Sequence, residues 1–534
     1  MNDRRLGFKW WVVAVGMLLA TQTVQVQASA LDEQAQQWLN QGEVVITPGE
    51  LARWAVARNA KTMAQRAQLA SVSELVAAER GLYDPTLTLS ASRSFNKQPR
   101  PSQDVSADVQ RLISCGLDPQ CKGSISDLQV DNQQRATVRG YGVKSLLPSG
   151  AQLELMHSVQ GNQSNLSDPV NVMEARGSLT LSLIQPLLKG RGKDATEADL
   201  AVAEREYSVE VQNLKRQTLD TLGGAVGAYW QLYQSEQTVY WRQEAVQMAQ
   251  SAVHEVQTRE QSGYGNKLEL ADAELSLNAR VIEWVTAQQQ HAELQARIRN
   301  LLNLDGHAFD RVTFRTAKGI LPVVDEGRDL RFDETQALNG WPSYRIAQLR
   351  EEQERIRLNH ADNQRQADLS LAVSYSKNTL VDSRKKAFED LFDSKNKGWS
   401  VGLTFSRPFN NTMAERKYDA QGVKVTAAQQ AVQSELVAWS NEVVARESQL
   451  KTTGERAATK NAAVALREDA LRMQRAQFDA GRARMRTVLE RQDQLSDSRL
   501  QAIEAQVNWK LAELQVLAVT GDVLDRFGIA IQNH

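Results

Sequence analysis

The chain has 534 residues, 24% of them charged, with 63 Lys and Arg against 64 Asp and Glu. Because the positive and negative charges nearly cancel, there is no electrostatic reason to expect nucleic acid as a partner. Six His and two Cys argue against a metal centre or cofactor site, and only 11 Pro and 30 Gly interrupt a composition that favours long helices.

The first 30 residues have the pattern of a secretory signal peptide. A basic start is followed by the apolar stretch Trp10 to Ala20 and by the small residues Ala28 to Ala30, which predicts a mature chain starting at Leu31. The alternative is an uncleaved anchor, although eleven apolar residues are too few to span a bilayer. If the mature chain lies in a membrane, it must do so as a β-barrel.

Two cysteines, Cys115 and Cys121, lie close together in a polar segment with Gly116 and Pro119. In an exported protein such a pair most simply forms a disulfide. Two free thiols are the alternative. Either way the pair would affect only a local loop.

The chain contains an internal repeat. Ser178 to Pro186 aligns position for position with Ser400 to Pro408, and Asp84 to Arg93 aligns with Asp368 to Lys377. Each segment alternates apolar with small polar residues, as a β-strand does. Pro186 and Pro408 mark the turns at the strand ends.

The spacings within the two repeats also agree, with one exception. Pro186 precedes Gly263 by 77 positions and Pro408 precedes Gly481 by 73. Between the aligned strands, however, the first repeat has 102 positions and the second has 40. The insertion contains both cysteines and a predicted hairpin, residues 136–160, which either joins the sheet or caps it from outside.

Long helices follow each pair of strands. Residues 195–261 and 413–479 contain no proline, and at 1.5 Å per residue each would extend for roughly 100 Å. Apolar residues recur every seven positions along them in two series, for example Leu232, Val239 and Val246. Two such seams on one helix indicate a neighbour on each side, as in a closed wall of helices, whereas a dimeric coiled coil would need one. Gly263 and Gly481 then begin the turns into two returning helices.

An earlier helix, residues 51–80, precedes the first strand. Thr47 and Glu50 have the spacing of a capping box, with Pro48 in the first helical turn.

Each strand has one face of apolar residues and one face of small polar residues. This is the pattern of a membrane barrel with lipid outside and water inside. A soluble β-sandwich with one solvent-exposed face would show it too. Four strands per chain cannot close a barrel, so several chains would have to contribute. Three chains would supply twelve strands, or eighteen if the inserted hairpin joins the wall.

This arrangement resembles the TolC family of outer-membrane efflux proteins over nearly the whole mature chain. The features that carry the resemblance are the doubled helix–strand–strand–helix–helix unit, the strand end from Gln185 to Leu188, the helix opening at Leu51, and the glycine turns. The resemblance implies a mainly α-helical homotrimer with a membrane β-barrel and a long periplasmic tunnel. It also implies localisation in the outer membrane, in contact with its lipid, and docking to a periplasmic adaptor (membrane fusion protein) and an inner-membrane pump.

In that family the two helix turns form the periplasmic tip, and charged residues just past the glycines form the resting gate. The candidate tip and gate residues here are Gly263, Glu269, Gly481, Arg482, Arg484 and Glu490. The match departs from the family pattern at Leu268, Ala483 and Thr487. Three copies of Glu490 around a narrow axis would favour cations. Solvation of an exposed helix turn is the other interpretation of these charges.

The predicted organisation is a signal peptide (1–30), a first repeat (31–303), an inter-repeat linker (304–341), a second repeat (342–521) and a C-terminal tail (522–534). Residues 31–47, the linker and the tail are expected to form a collar around the middle of the tunnel. The predicted function is a passive exit duct for drugs or small toxic solutes, and not an enzyme. The alternatives are the outer-membrane channel of type I secretion for proteins or polymers, and a periplasmic coiled-coil spacer or adaptor.

Overall fold

The structure is a computed structural model, which describes residues 36–115, 128, 130–166, 173–263, 266–304, 307–318 and 333–529. The signal-peptide prediction lies outside these residues. The chain divides into two compact units. Of the described residues, the first unit comprises those up to Ala70, those in Val209–Gln348 and those from Ala431 onward. The second unit comprises those in Ser71–Ser208 and Leu349–Gln430.

The helices are α1 (Pro48–Arg58), α2 (Ala60–Arg80), α3 (Ser102–Cys115), α4 (Lys193–Thr196), α5 (Ala198–Gln261), α6 (Lys267–Leu301), α7 (Glu334–Gly340), α8 (Pro342–Arg365), α9 (Arg384–Glu389), α10 (Thr412–Asp479), α11 (Met485–Thr520) and α12 (Val523–Arg526). The strands are β1 (Glu43–Ile46), β2 (Thr86–Pro99), β3 (Asp131–Leu146), β4 (Gln152–Ser164), β5 (Met173–Pro186), β6 (Thr313–Thr316), β7 (Asp368–Val381) and β8 (Lys397–Ser406). Short 3₁₀ turns occur at Gly81–Tyr83 and His307–Arg311.

The predicted capping box is confirmed. The Thr47 hydroxyl accepts a hydrogen bond from the Glu50 amide, and the Glu50 carboxylate accepts one from the Thr47 amide. The prediction of one unbroken helix over 51–80 is wrong, because Asn59 is extended (φ −61°, ψ 128°). The Asn59 side chain donates to the carbonyl of Leu301 (3.1 Å) and accepts from the amide of Lys61 (3.0 Å). A long-range contact therefore separates α1 from α2, and the same side chain caps the start of α2.

The first unit has an apolar core where its helices meet a small two-stranded sheet. β1 pairs in parallel with β6, so residues before α1 lie against residues of the inter-repeat linker. Tyr229 from α5, Ile298 from α6 and Phe314 from β6 are fully buried in this core, and Phe527 and Ile529 after α12 pack against it.

The side chain of Gln295 in α6 pairs with the backbone of β6 as a neighbouring strand would. Its side-chain amide donates to the carbonyl of Phe314 (2.7 Å) and accepts from the amide of Phe314 (2.8 Å). Since Gln295 is buried, these bonds satisfy two backbone groups that water does not reach.

The second unit contains a six-stranded antiparallel sheet in the order β2-β3-β4-β5-β7-β8. The inserted hairpin, β3 and β4, is therefore part of the sheet and not a cap outside it. β3 pairs with β2 from Thr86↔Lys144 to Pro99↔Asp131, and β4 pairs with β5 over a comparable length. The hairpin thus separates the two aligned strands of the first repeat, β2 and β5.

The two faces of this sheet differ in chemistry. On one face lie large apolar residues, among them Leu87, Leu155, Leu181, Val373 and Trp399. The other face carries mainly Ser, Thr, Gly and Asn, with paired hydroxyls such as Ser158 with Ser178 (2.8 Å). We refer to these as the apolar face and the polar face. The alternation confirms the predicted strand pattern.

No helix among the described residues is both long enough and apolar enough to cross a membrane.

Candidate functional site at the helix turns

Two helix turns of the first unit lie at the candidate site. α5 ends at Gln261 and is followed by Gly263 (φ +80°), and α10 ends at Asp479 and is followed by Gly481 (φ +72°). Such positive φ angles favour glycine, which has no Cβ to clash with the backbone. Asn266 then caps α6 by accepting a hydrogen bond from the Leu268 amide (3.1 Å).

An apolar cluster holds the two turns together. It contains buried residues from the end of α5, the start of α6, the end of α10 and the start of α11: Ala252, Val256, Ala273, Phe478, Met485, Val488 and Leu489. The Arg259 guanidinium lies over the Phe478 ring, 4.2 Å from its centroid. The cluster explains why residues from the two repeats meet here.

A cleft of about 310 Å³ opens between the first turns of α6 and α11. Its lining residues are Glu269, Asp272, Ala273, Ser276, Met485, Arg486, Leu489, Glu490 and Asp493. Glu269 and Glu490, the two acids selected from the sequence, thus line one cleft. Four carboxylates against one guanidinium make the lining acidic, which attracts cations.

The candidate arginines have a different position. Arg482 and Arg484 are exposed and do not line the cleft. Ala483 packs against the apolar cluster. The arginine in the cleft is Arg486, which forms an ion pair with Glu490 (3.2 Å) one helical turn further on. Its spacing of four residues from Glu490 is a helical ion-pair signal that the sequence contains.

An ion pair between a buried arginine and a half-exposed aspartate joins the two returning helices next to the cleft. Arg280 of α6, only 5% exposed, donates to the Asp493 carboxylate of α11 and to the Ser276 carbonyl (3.0 Å). Burial raises the pKa of Asp493, with Asp497 and Glu283 acting in the same direction, while the charge of Arg280 opposes the shift. Sequence reasoning missed this pair because its members are 213 positions apart.

A second arginine extends the charge network. Arg242 of α5 contacts Glu283 of α6 (2.8 Å) and Asp497 of α11 (3.4 Å). Arg242 and Arg280 therefore tie the helices of the two repeats together through charges. Within the described part of the chain, no cluster of three or more His, Cys, Asp or Glu residues is arranged to hold a metal ion.

The remaining residues predicted from the sequence lie in the second unit or outside the described residues. Pro186 is the last residue of β5, and Pro408 comes two residues after β8. Cys115 ends α3, whereas Cys121 is outside the described residues, so the disulfide stays a prediction.

The structure was compared with known proteins. Neither the family models nor the curated protein sequences contain a match. Among solved structures, the outer-membrane channel OprN matches with a TM-score of 0.63 and 14% identity over 91% of this chain and 90% of OprN. The outer membrane protein VceC from Vibrio cholerae matches with a TM-score of 0.60 and 14% identity over 89% of this chain and 96% of VceC.

A third similar structure is the MtrE outer membrane channel of Neisseria gonorrhoeae in its open state. Its TM-score is 0.57, with 14% identity over 89% of this chain and 89% of MtrE. The chain therefore has the fold of TolC-like outer-membrane channels, as the sequence resemblance predicts. At this level of identity the likeness concerns the fold alone.

Proposed function

We propose that this protein is a passive exit duct in the outer membrane, assembled from three copies of the chain. The TolC-like fold is the observation that carries the proposal. Two features of the described surface support it: exposed apolar seams on the helices and the apolar face of the sheet.

The seams are series of exposed apolar residues at heptad spacing in the first unit. On α6, Leu268, Leu275 and Ile282 are 65%, 68% and 67% exposed. On α10, Val437 and Val444 form a similar pair, as do Leu466 and Met473. Heptad seams pack into neighbouring helices, and a second copy of the chain would supply them.

The apolar face supports the membrane assignment. Edge-strand residues Leu89, Trp399, Val401 and Leu403 are at least 60% exposed in the single chain, which suits contact with lipid. The polar face would then surround water.

Six strands in the described part of each chain would give three copies an eighteen-stranded barrel, in contrast to the twelve strands that four per chain would supply. Barrels of this size enclose an aqueous channel. The strand count therefore favours a wide exit, which suits drugs and small solutes and also supports the alternative, secretion of proteins or polymers.

The helix turns are the end that we assign to the periplasmic adaptor and the inner-membrane pump. Their acidic cleft suits a cation-favouring constriction with Glu490 as a lining residue. The duct itself catalyses no reaction. The rival function, a periplasmic spacer, would leave the apolar face of the sheet without an occupant.

The test uses the mature protein reconstituted in planar bilayers, with subunit number measured by mass photometry in detergent. We expect discrete conductance steps and a three-subunit particle. Leu275→Glu should disrupt the assembly, because it puts a charge in the seam. Gln290→Glu, exposed on the same helix but outside the heptad, is the matched control. A monomer without conductance, found in the soluble fraction, would favour the spacer.

The cargo requires a separate experiment. A deletion strain should become sensitive to toxic solutes if the duct serves efflux. A strain that keeps its drug tolerance but fails to export a protein or polymer would instead establish the secretion alternative.

A further inference from the structure

The apolar face of the sheet changes character along the strands. Near Pro186 and the helices of this unit it carries large apolar residues, whereas the opposite ends of the strands carry basic ones. Arg93 of β2, Arg135 and Arg139 of β3, Lys377 of β7 and Lys397 of β8 occupy the same face as the leucines, because their positions are separated from those leucines by even numbers of residues.

The pairing brings these cations close together. Arg139 lies opposite Ala91 and Arg93 opposite Thr137 on adjacent strands, and Lys377 lies directly opposite Lys397. We call these five residues, together with Arg384 of α9, the basic band.

Acidic residues are nearly absent from this face. In the described strands its one carboxylate is Asp131, which already pairs with Lys97 (2.8 Å). Glu154, Glu174 and Asp368 alternate onto the polar face. No member of the basic band forms an ion pair with another described residue, and the nearby acids Asp382 and Glu389 pair with Lys386 and Lys385.

On the apolar face β4 and β5 carry no charged residue, and helix α9 supplies charge there. It packs on the apolar face with Ala387 fully buried, and the Thr379 hydroxyl donates to the Ala387 carbonyl (3.0 Å). Gly177 makes room for it, since a Cβ at this position would lie 2.3 Å from the Ala387 oxygen. The Arg384 side chain passes over Gly161 of β4, where a Cβ would lie 3.4 Å from the Arg384 Cδ.

The exposed side of α9 and its following loop is amphipathic. Phe388 and Phe392 are 43% and 62% exposed. Lys377 of the band donates a hydrogen bond to the Phe392 carbonyl (2.9 Å). The imidazole of His157 and the ring of Tyr141 stack at 4.7 Å just below, and Phe388 contacts the same imidazole. Aromatic and basic groups at the border of an apolar belt are typical of the boundary between hydrocarbon and headgroups.

We infer that the basic band binds the phosphate groups of anionic lipids in the outer leaflet of the membrane. This inference rests on the proposed function, since it needs the apolar face in lipid. Guanidinium and ammonium groups bind phosphate oxygens strongly, and the attraction is larger near a charged membrane surface. Continuity with the apolar belt favours a lipid over a soluble polyanion, which would gain nothing from the belt.

The experiment measures how many lipid A molecules the purified assembly retains, by native mass spectrometry after exchange into detergent with added lipid A. The test variant is Arg135→Gln combined with Arg139→Gln. Its matched control is Lys144→Gln with Arg176→Gln, which removes two cations from the polar face. We expect the test variant to bind lipid A about tenfold to thirtyfold more weakly and the control to bind it as the wild type does.

Three outcomes would overturn the inference: unchanged binding in the test variant, equal loss in the control, or displacement of lipid A by inorganic phosphate alone. Single-channel conductance measured on the same samples shows that each variant is assembled. If conductance is absent while lipid A binding depends on the band, the duct function fails and the lipid site stands. If conductance is normal and the band has no effect, only the lipid site fails.

Discussion

Truncating Asp493 and truncating Arg280 should destabilise the contact between their helices by different amounts. Arg280 is almost fully buried, whereas the Asp493 side chain is 53% exposed. Replacing Asp493 by Ala leaves a buried guanidinium with Ser276 as its remaining partner. Replacing Arg280 by Met leaves a carboxylate that water reaches. We therefore expect Asp493→Ala to loosen the contact between α6 and α11 more than Arg280→Met.

The magnitude follows from burial. Losing a hydrogen bond to a charged group costs about 1.5–3 kcal/mol, whereas the larger cost of breaking a fully buried pair does not apply because Asp493 is half exposed. The opening equilibrium of this contact should rise about tenfold to a hundredfold in Asp493→Ala. Arg280→Met should cost less than about 1 kcal/mol. The double variant should resemble Arg280→Met, because it contains no stranded buried charge.

The assay is amide hydrogen exchange of residues 267–285 and 485–497 in the assembled protein. The matched control is Asp469→Ala, which removes an exposed pair with Arg472 (77% exposed) and should have a small effect on exchange. Equal acceleration by the two single variants would refute the reasoning. So would a double variant that exchanges faster than Asp493→Ala.

The same carboxyl predicts a pH dependence. Burial raises the pKa of Asp493 above its ordinary value of 3.8, so the folded state binds this proton more tightly than the unfolded state does. Its contribution to stability is complete below pH 3.8 and is lost as the pH rises through the raised pKa. Asp493→Asn cannot ionise and should flatten this part of the curve of melting temperature against pH. An unchanged slope in the variant would contradict the assignment.

Three further predictions concern the turns and the core. Glu490→Ala should lower the preference for cations in planar-bilayer recordings, and unchanged conductance and selectivity would exclude it from the constriction. Gly481→Ala should lower the free energy of unfolding by about 1–2 kcal/mol, because Gly481 has a positive φ. Gly223→Ala inside α5 should raise it by about 0.5–1 kcal/mol, because a Cβ there meets no atom within 4 Å. The melting temperatures of the two variants should therefore shift in opposite directions. Gln295→Leu should lower the free energy of unfolding by about 2 kcal/mol or more, because it leaves the buried amide and carbonyl of Phe314 without hydrogen-bond partners. Denaturant unfolding measures this change. An unchanged free energy would mean that the core rearranges to pair the two groups.

Part of the candidate site could be found from the sequence. The glycines of the two turns and the acids Glu269 and Glu490 follow from helix periodicity and the family resemblance. Arg486 was also within reach, since it precedes Glu490 by one helical turn. Asp493 was not, because it differs from the many other helical acids only in its contact with the buried Arg280 of the other repeat.

The break at Asn59 shows the same limit in the fold. The sequence around it favours helix on both sides, and the interruption depends on a carbonyl of Leu301, more than two hundred residues away. Local propensity cannot predict such a contact.

By itself the sequence determined the local features: the cap at Thr47, the glycine turns, the long helices and the alternation of the strands. These arise from interactions between residues a few positions apart, so short patterns contain them. Only the tertiary structure decided that β3 and β4 enter the sheet, that α9 lies across Gly161 and Gly177, and that Arg280 meets Asp493. Those outcomes depend on contacts between surfaces that are far apart in the sequence and meet only when long loops close. A local sequence pattern does not specify which distant surface will be the partner.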